Sequence, residues 1–235
     1  MRPVNKLLSE LSDKAYARVG PKLEHVQLDR KQVLYRPHDR IDRVYFPENA
    51  VVALMTVMED GSTLETATVG FEGASWISAQ IGAESMPCQT IVIIEGLAHT
   101  LAVEELAREV AENEHFSELL TQYSHALLIH SMRMTGCTGL HSLQQRCARW
   151  ILTTLDRVSE ERFVVTHEFL AMLLGCRRPS LSLVIEDFKR RGVLADTRSG
   201  ITVNNRDALL EVSCECYGII KDNYEQVGRR GLTNQ

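Results

Sequence analysis

THEFLAMLLGCRRPSLSLVIEDFKRRGVL, residues 166–194, decides how the rest of the chain is read. With His167 opening a helix-turn-helix frame, small Ala171 falls where a larger side chain would strike the second helix. Gly175 falls in the turn, where a positive φ is needed and glycine adopts it without steric penalty. Leu170, Leu174, Cys176, Leu181 and Val184 take the inward positions of the two helices. Thr166 stands where a hydroxyl caps the first helix, and Pro179 stands in the first turn of the second, which tolerates proline. The remaining side chains are cationic or hydroxylic: Arg177, Arg178, Ser180, Ser182 and Lys189, with Arg190 and Arg191 beyond. Arginine forks onto a guanine edge, and serine and lysine suit phosphates, so the stretch is expected to contact DNA. The following RRGVLADTRSGITV reads as a helix stop, a strand, a turn at Ser199-Gly200 and a second strand. That is a wing, with Arg198 near its tip. The expected DNA-contacting set is Thr166, His167, Arg177, Arg178, Ser180, Ser182, Lys189 and Arg198.

Charge divides the chain in the same sense. Residues 1–138 carry 12 Lys and Arg against 19 Asp and Glu, residues 139–235 carry 14 against 12, and the net charge is −5. An acidic first unit and a mildly basic second one follow. Upstream of the motif, LQQRCARWILTTLDRV (143–158) predicts an amphipathic helix. Thr135-Gly-Cys-Thr-Gly139 predicts a helix break and hinge, since glycine weakens a helix interior. Before it, Phe116, Leu120, Tyr123, Leu127, His130 and Met134 are spaced 4, 3, 4, 3, 4. This is a heptad seam, expected to close against a second copy of the same helix. Packing on its own domain is the alternative. From Glu114 to Thr135 such a helix would be about 30 Å long.

Residues 25–101 change period. VLYRP, RVYFP, VVALMTVM, STLETATV and TIVIIEG are rich in β-branched and aromatic residues and bounded by Pro, Gly and Asn, a pattern of short strands in a barrel or sandwich. Asp60-Gly61 predicts a two-residue hairpin. VEELAREVAEN (103–113) predicts an amphipathic helix. At the start of the chain Leu8, Leu11, Ala15 and Val19 share one helical face. No apolar run approaches the roughly 20 residues of a membrane span, and nothing reads as a signal peptide, so a cytoplasmic location without membrane contact is expected. Cysteines lie at 88, 137, 147, 176, 214 and 216. Cys214 and Cys216, taken as two residues apart on one helix, would point their thiols apart, so no metal and no cofactor are expected. No nucleophile–base pair or phosphate loop is present, and His25, His38 and His99 are isolated rather than clustered as a cupin-type metalloenzyme requires. The chain is therefore read as a non-enzyme.

In this order, β unit, long helix, glycine hinge and winged helix resemble the Crp/Fnr family of bacterial regulators. The residues carrying the likeness are VGFEG (69–73), LHSLQQRCARWIL (140–152) and the 166–194 stretch. The resemblance implies an α+β fold with a cyclic-nucleotide-binding-like β-roll (jelly roll) over 1–112, a dimerisation helix and hinge over 113–138, and a winged helix-turn-helix over 139–235. It also implies a homodimer on palindromic promoter DNA, with RNA polymerase and a small-molecule effector as further partners.

The chain departs from the family pattern at the effector site. Nucleotide-binding members resemble one another in a Glu that takes the ribose and an Arg that takes the cyclic phosphate. Here Glu72 and Gly73 remain, but the later segment, Met86-Pro-Cys-Gln-Thr90, has no Arg, and no Lys or Arg occurs between Val44 and Ala107. A buried phosphate without a counter-charge is strongly disfavoured, so cyclic AMP and cyclic GMP are not expected as effectors unless Arg133 substitutes. The expected pocket comprises Phe71, Glu72, Gly73, Trp76, Cys88 and Gln89. Cys88 could alternatively serve a redox or haem sensor, and an adaptor that binds no DNA is a further alternative. No cysteine precedes Cys88, so an N-terminal iron–sulfur site is excluded. In the reading helix Pro179 and Leu183 replace a family Glu and Arg, which moves the expected operator away from the family's commonest sequence.

Overall fold

The computed structural model describes residues 2–75, 84–158, 160, 162–195 and 200–229. The first segment forms two short helices, α1 (Lys6–Ser9) and α2 (Asp13–Val19), not the single helix its apolar face suggested. The Ser12 hydroxyl accepts from the Ala15 amide and starts α2 afresh. Leu8, Leu11, Ala15 and Val19 are all buried nevertheless.

Among the described residues seven strands follow: β1 (Glu24–Leu28), β2 (Val33–Tyr35), β3 (Arg43–Pro47), β4 (Val51–Val57), β5 (Thr63–Val69), β6 (Cys88–Ile94) and β7 (Gly96–Ala102). They pair antiparallel in two sheets, β1-β7-β3 and β2-β6-β4-β5, which gives the expected β-roll. The β4–β5 connection is longer than the two-residue turn Asp60-Gly61 suggested. Gly61 donates to the Met58 carbonyl and adopts φ +81°, a turn followed by a left-handed residue, the usual three-residue hairpin.

Helix α3 (Val103–Glu112) leads into α4 (Glu114–Leu140), a 27-residue helix about 40 Å long at 1.5 Å per residue. The expected break at 135–139 is absent. Gly136 and Gly139 lie within α4, where a Cβ at either would meet nothing within 4 Å, and the chain turns only at His141. A helix tolerates glycine at modest cost, and the next helix has its own start signal. Ser142 and Gln145 form a reciprocal capping box on α5 (Leu143–Leu155).

The seam of α4 faces inward. Phe116, Leu120, Tyr123, His130 and Met134 are at most 5% exposed within the single chain, and Leu127 packs against the same core. Tyr123 donates to the Ala74 carbonyl at 3.0 Å, and His130 Nδ1 lies 3.1 Å from the Tyr224 hydroxyl. These residues are thus corrected from a dimer seam to the internal seam between α4, the β-roll and the last helix. The burial of His130 holds its imidazole well below the usual value, in the neutral form. The face of α4 left open carries Leu128 (58% exposed), Met132 (66%) and Leu140 (85%).

Helix α5 has the expected amphipathic sequence, yet its second half is buried on every side. Every residue from Cys147 to Leu155 is buried, because α5 lies between the outer face of the four-stranded sheet and the C-terminal helices. One core joins the β-roll interior to α1, α2, α4 and the final helix. A second joins Val51, Ala53, Met55, Ile91 and Ile93 on the outer sheet face to α5 and the motif helices. Polar pins join the same surfaces: Trp150 Nε1 donates to Glu65 Oε2 at 2.7 Å. Among the described residues no helix is long and apolar enough to cross a membrane.

Candidate nucleic-acid interface

The predicted motif forms α6 (His167–Leu173) and α7 (Arg178–Arg190). Thr166 caps α6 by accepting from the Phe169 amide at 3.2 Å, and Pro179 sits in the first turn of α7. Gly175 has φ +59°, which asks for glycine, and a Cβ there would also press on the end of the Leu64 side chain of β5 at 2.6 Å. Leu170, Ala171, Leu174, Leu181, Ile185 and Phe188 are buried and lock the two helices.

This packing turns one side of α7 outward. Arg177, Arg178, Pro179 and Ser180 are exposed at its start, followed by Leu183 at 74%, Glu186 and Arg190. Ser182 is half-buried and its Oγ lies 3.1 Å from His167 Nδ1, so these two are joined to each other. The Lys189 ammonium reaches Glu186 at 3.3 Å. Arg190 pairs with Asp187, which also accepts from Gln144 at 3.1 Å. Among the described residues of the motif, the open cationic surface is therefore concentrated at the start of α7. Glu186 escaped the sequence reading, although it falls one turn beyond Leu183 on the outward face, where a carboxylate can accept from cytosine.

The wing departs from the expected hairpin: β9 (Ile201–Thr202) pairs antiparallel with β8 (Arg162–Phe163), and among the described residues the expected first strand after Gly192 is reduced to a bridge between Leu194 and Val203. Gly192 stops α7 at φ +71°, and Gly200 turns the chain at φ +82°. Arg198 lies outside the described residues. Helices α8 (Arg206–Val212) and α9 (Cys216–Glu225) complete the unit; α9 returns to α4.

Among the described residues, the expected effector residues do not line one pocket. Phe71 and Glu72 line a cavity of about 270 Å³ with Lys6, Arg157, Tyr217 and Tyr224. Glu72 is 7% exposed; its Oε1 accepts from the Gly70 amide at 3.1 Å and from Arg157 Nη2 at 2.6 Å. Gly73 is covered by Tyr123: a Cβ there would lie 2.2 Å from its hydroxyl. Gln89 lines a separate cleft with Lys31, Met55 and Phe169. Cys88 sits half-buried on β6, and burial pushes its thiol up, away from the thiolate that redox chemistry uses. Trp76 lies outside the described residues. Arg133 is exposed on α4; the cation that meets Glu72 is Arg157.

Cys214 and Cys216 do not share a helix. Cys214 lies in the link between α8 and α9, Cys216 begins α9, and both thiols turn toward Cys137 and His141 at the end of α4.

The chain thus carries a β-roll followed by a winged helix-turn-helix whose second helix presents cationic side chains at its start. The family of Crp-like helix-turn-helix domains matches residues 145–212. No curated protein sequence matches the chain. FixK2 from Bradyrhizobium japonicum superposes with a TM-score of 0.68 at 14% identity, over 82% of this chain and 98% of that one. The c-di-GMP responsive global regulator CLP of Xanthomonas campestris gives 0.60 at 15% identity, over 83% and 100%. A CRP-family transcriptional regulator of Thermus thermophilus gives 0.63 at 19% identity, over 80% and 96%. The chain has the Crp/Fnr transcription-regulator fold, with a Crp-like helix-turn-helix DNA-binding domain.

Proposed function

We propose that the chain is a transcription regulator that works as a homodimer, each copy reading half of a palindromic promoter site. The observation that carries this reading is the start of α7: Arg177, Arg178 and Ser180 exposed on a helix whose other side is locked in the core. In this reading Arg178 forks onto a guanine, while Arg177, Ser180 and Lys189 hold phosphates, with Thr166, His167, Ser182 and the wing's Arg198 beside them. RNA polymerase is the partner through which a bound dimer acts, and no catalytic step is assigned to the chain. The β-roll over 1–112 receives the signal, and 113–138 joins it to the reading unit over 139–235.

The test is a gel shift on the promoter region of the protein's own gene. Affinity should fall steeply with salt, as phosphate neutralisation requires. Arg178→Ala should lose about 1–3 kcal/mol and relax specificity at one base pair. An unchanged affinity and footprint would remove Arg178 from the readout.

Cyclic AMP and cyclic GMP are not the effectors in this reading. Glu72, the residue that would take a ribose hydroxyl, is already held by Arg157 and the Gly70 amide. A calorimetric titration with either nucleotide should show no micromolar binding; a saturable micromolar isotherm would reverse this assignment.

A further inference from the structure

Four side chains that the DNA-reading function does not use converge where α4 ends. Cys137 lies in the last turn of α4 and His141 immediately follows that helix. Cys214 and Cys216 come from the α8–α9 link. One donor atom from each lies within 4.8 Å of every other. Cys137 Sγ is 3.5 Å from Cys214 Sγ, and Cys216 Sγ is 3.7 Å from His141 Nδ1. A tetrahedral site with zinc–sulfur bonds of about 2.3 Å places its sulfurs about 3.8 Å apart. The spacing is that of ligands around one ion. A two-iron cluster would divide its thiolates between two metal atoms and spread them farther.

Two further features suit a metal site. His141 presents Nδ1 to the thiols while its Nε2 lies 3.2 Å from Glu215 Oε2. That is the carboxylate–histidine pairing that fixes the tautomer of a metal-bound imidazole, and Glu215 is supplied by the residue between the two cysteines. Second, Arg149 is 1% exposed, and its Nε and Nη2 have no hydrogen-bond partner among the described residues. Its charge acts on the buried Glu65 carboxylate and on Cys137. A divalent ion with three thiolates and a neutral imidazole carries one net negative charge, which Arg149 offsets.

We propose that Cys137, His141, Cys214 and Cys216 form a structural Cys₃His site for zinc, tying the end of the long helix to the C-terminal helices. Three thiolates and one imidazole in a closed tetrahedron are the donor set zinc takes in structural sites. Binding of the ion releases the protons of the thiols that become its ligands.

The experiment uses the full chain purified under reducing conditions. Elemental analysis should find about one zinc per chain. Replacement by cobalt should give visible bands of a tetrahedral ion and a near-ultraviolet thiolate band sized for three thiolates. Cys214→Ser with Cys216→Ser should reduce the metal to about zero, while Cys88→Ser with Cys176→Ser should leave it unchanged. Glu215→Gln should weaken metal affinity by about 10–100-fold without abolishing the cobalt spectrum. A chain that takes up neither ion overturns the proposal. So does zinc retained undiminished in the Cys214/Cys216 variant, or a cobalt spectrum lacking thiolate bands. A reduced mass short by two hydrogens, returning on stronger reduction, overturns it in favour of a Cys137–Cys214 disulfide. Should the double variant fail to fold, the cobalt spectrum of the unaltered chain decides alone.

Discussion

Arg157→Ala should destabilise the protein by about 3–5 kcal/mol, the range for breaking a buried ion pair from one side. For a chain of this size each kcal/mol moves the melting temperature by roughly 2–4 °C, so a fall on the order of 10 °C is expected in thermal unfolding. Arg157 follows α5, its side chain 5% exposed, with Glu72 at 2.6 Å. It also donates to the Thr68 carbonyl at 3.2 Å and contacts the Thr68 hydroxyl. Gly70 makes the room: a Cβ there would lie 2.7 Å from the Arg157 stem. Truncating Arg157 leaves the Glu72 carboxylate buried without its cation. The double variant Arg157→Met, Glu72→Gln removes both charges and should regain most of the loss, because a buried pair replaced by well-packed neutral groups is often neutral in stability. A single-variant loss under about 1 kcal/mol would mean that the pair is solvated like a surface salt bridge.

The same pair marks where the sequence stopped being informative. The absence of Lys and Arg from Val44 to Ala107 leaves only that stretch without a cation; Lys6, from α1, lines the same cavity as Glu72. That absence could not reveal that a cation arrives from beyond α5, because that contact is set by tertiary packing. The motif was legible to the residue since its rules are local: Thr166 as cap, Ala171 and Gly175 at the tight approaches, Pro179 in a first turn. Strands β4, β5 and β6 were legible from their β-branched runs. The edge strand β1, Glu24-His-Val-Gln-Leu28, is mostly exposed and carries little apolar signal. The glycines at 136 and 139 misled because helix propensity is a weak prior beside the packing of the rest of α4. A heptad seam reports only that a helix buries one stripe, not what covers it. Here α9 and the β-roll cover it. The cysteine cluster was hidden for the opposite reason: 137, 141, 214 and 216 are far apart in the chain, and the link between α8 and α9 brings them together.

With the inner stripe of α4 occupied, the proposed dimer must use the outer one, and this sets the second large effect. Leu128 and Met132 lie one turn apart on the open face, with Gly136 and Leu140 continuing the row. Small and apolar side chains in that order let a second α4 approach closely. Leu128→Glu with Met132→Glu should yield a folded monomer, since both side chains already face solvent. Affinity for a palindromic site should then fall by about 10²–10⁴-fold, the gain that linking two half-site contacts provides, while affinity for a single half-site stays unchanged. Tyr123→Glu on the inner stripe should instead unfold the chain, because it places a charge where the Tyr123 ring is fully buried. Sedimentation, circular dichroism and gel shifts on full and half sites separate these outcomes. Two-fold symmetry through the outer stripe would place the paired α7 helices in successive major grooves, about 34 Å apart. A Leu128/Met132 variant that remains dimeric and binds the palindrome normally would move the interface off α4 altogether, and a half-site affinity that falls in parallel would show that the substitutions damaged the reading unit rather than the pairing.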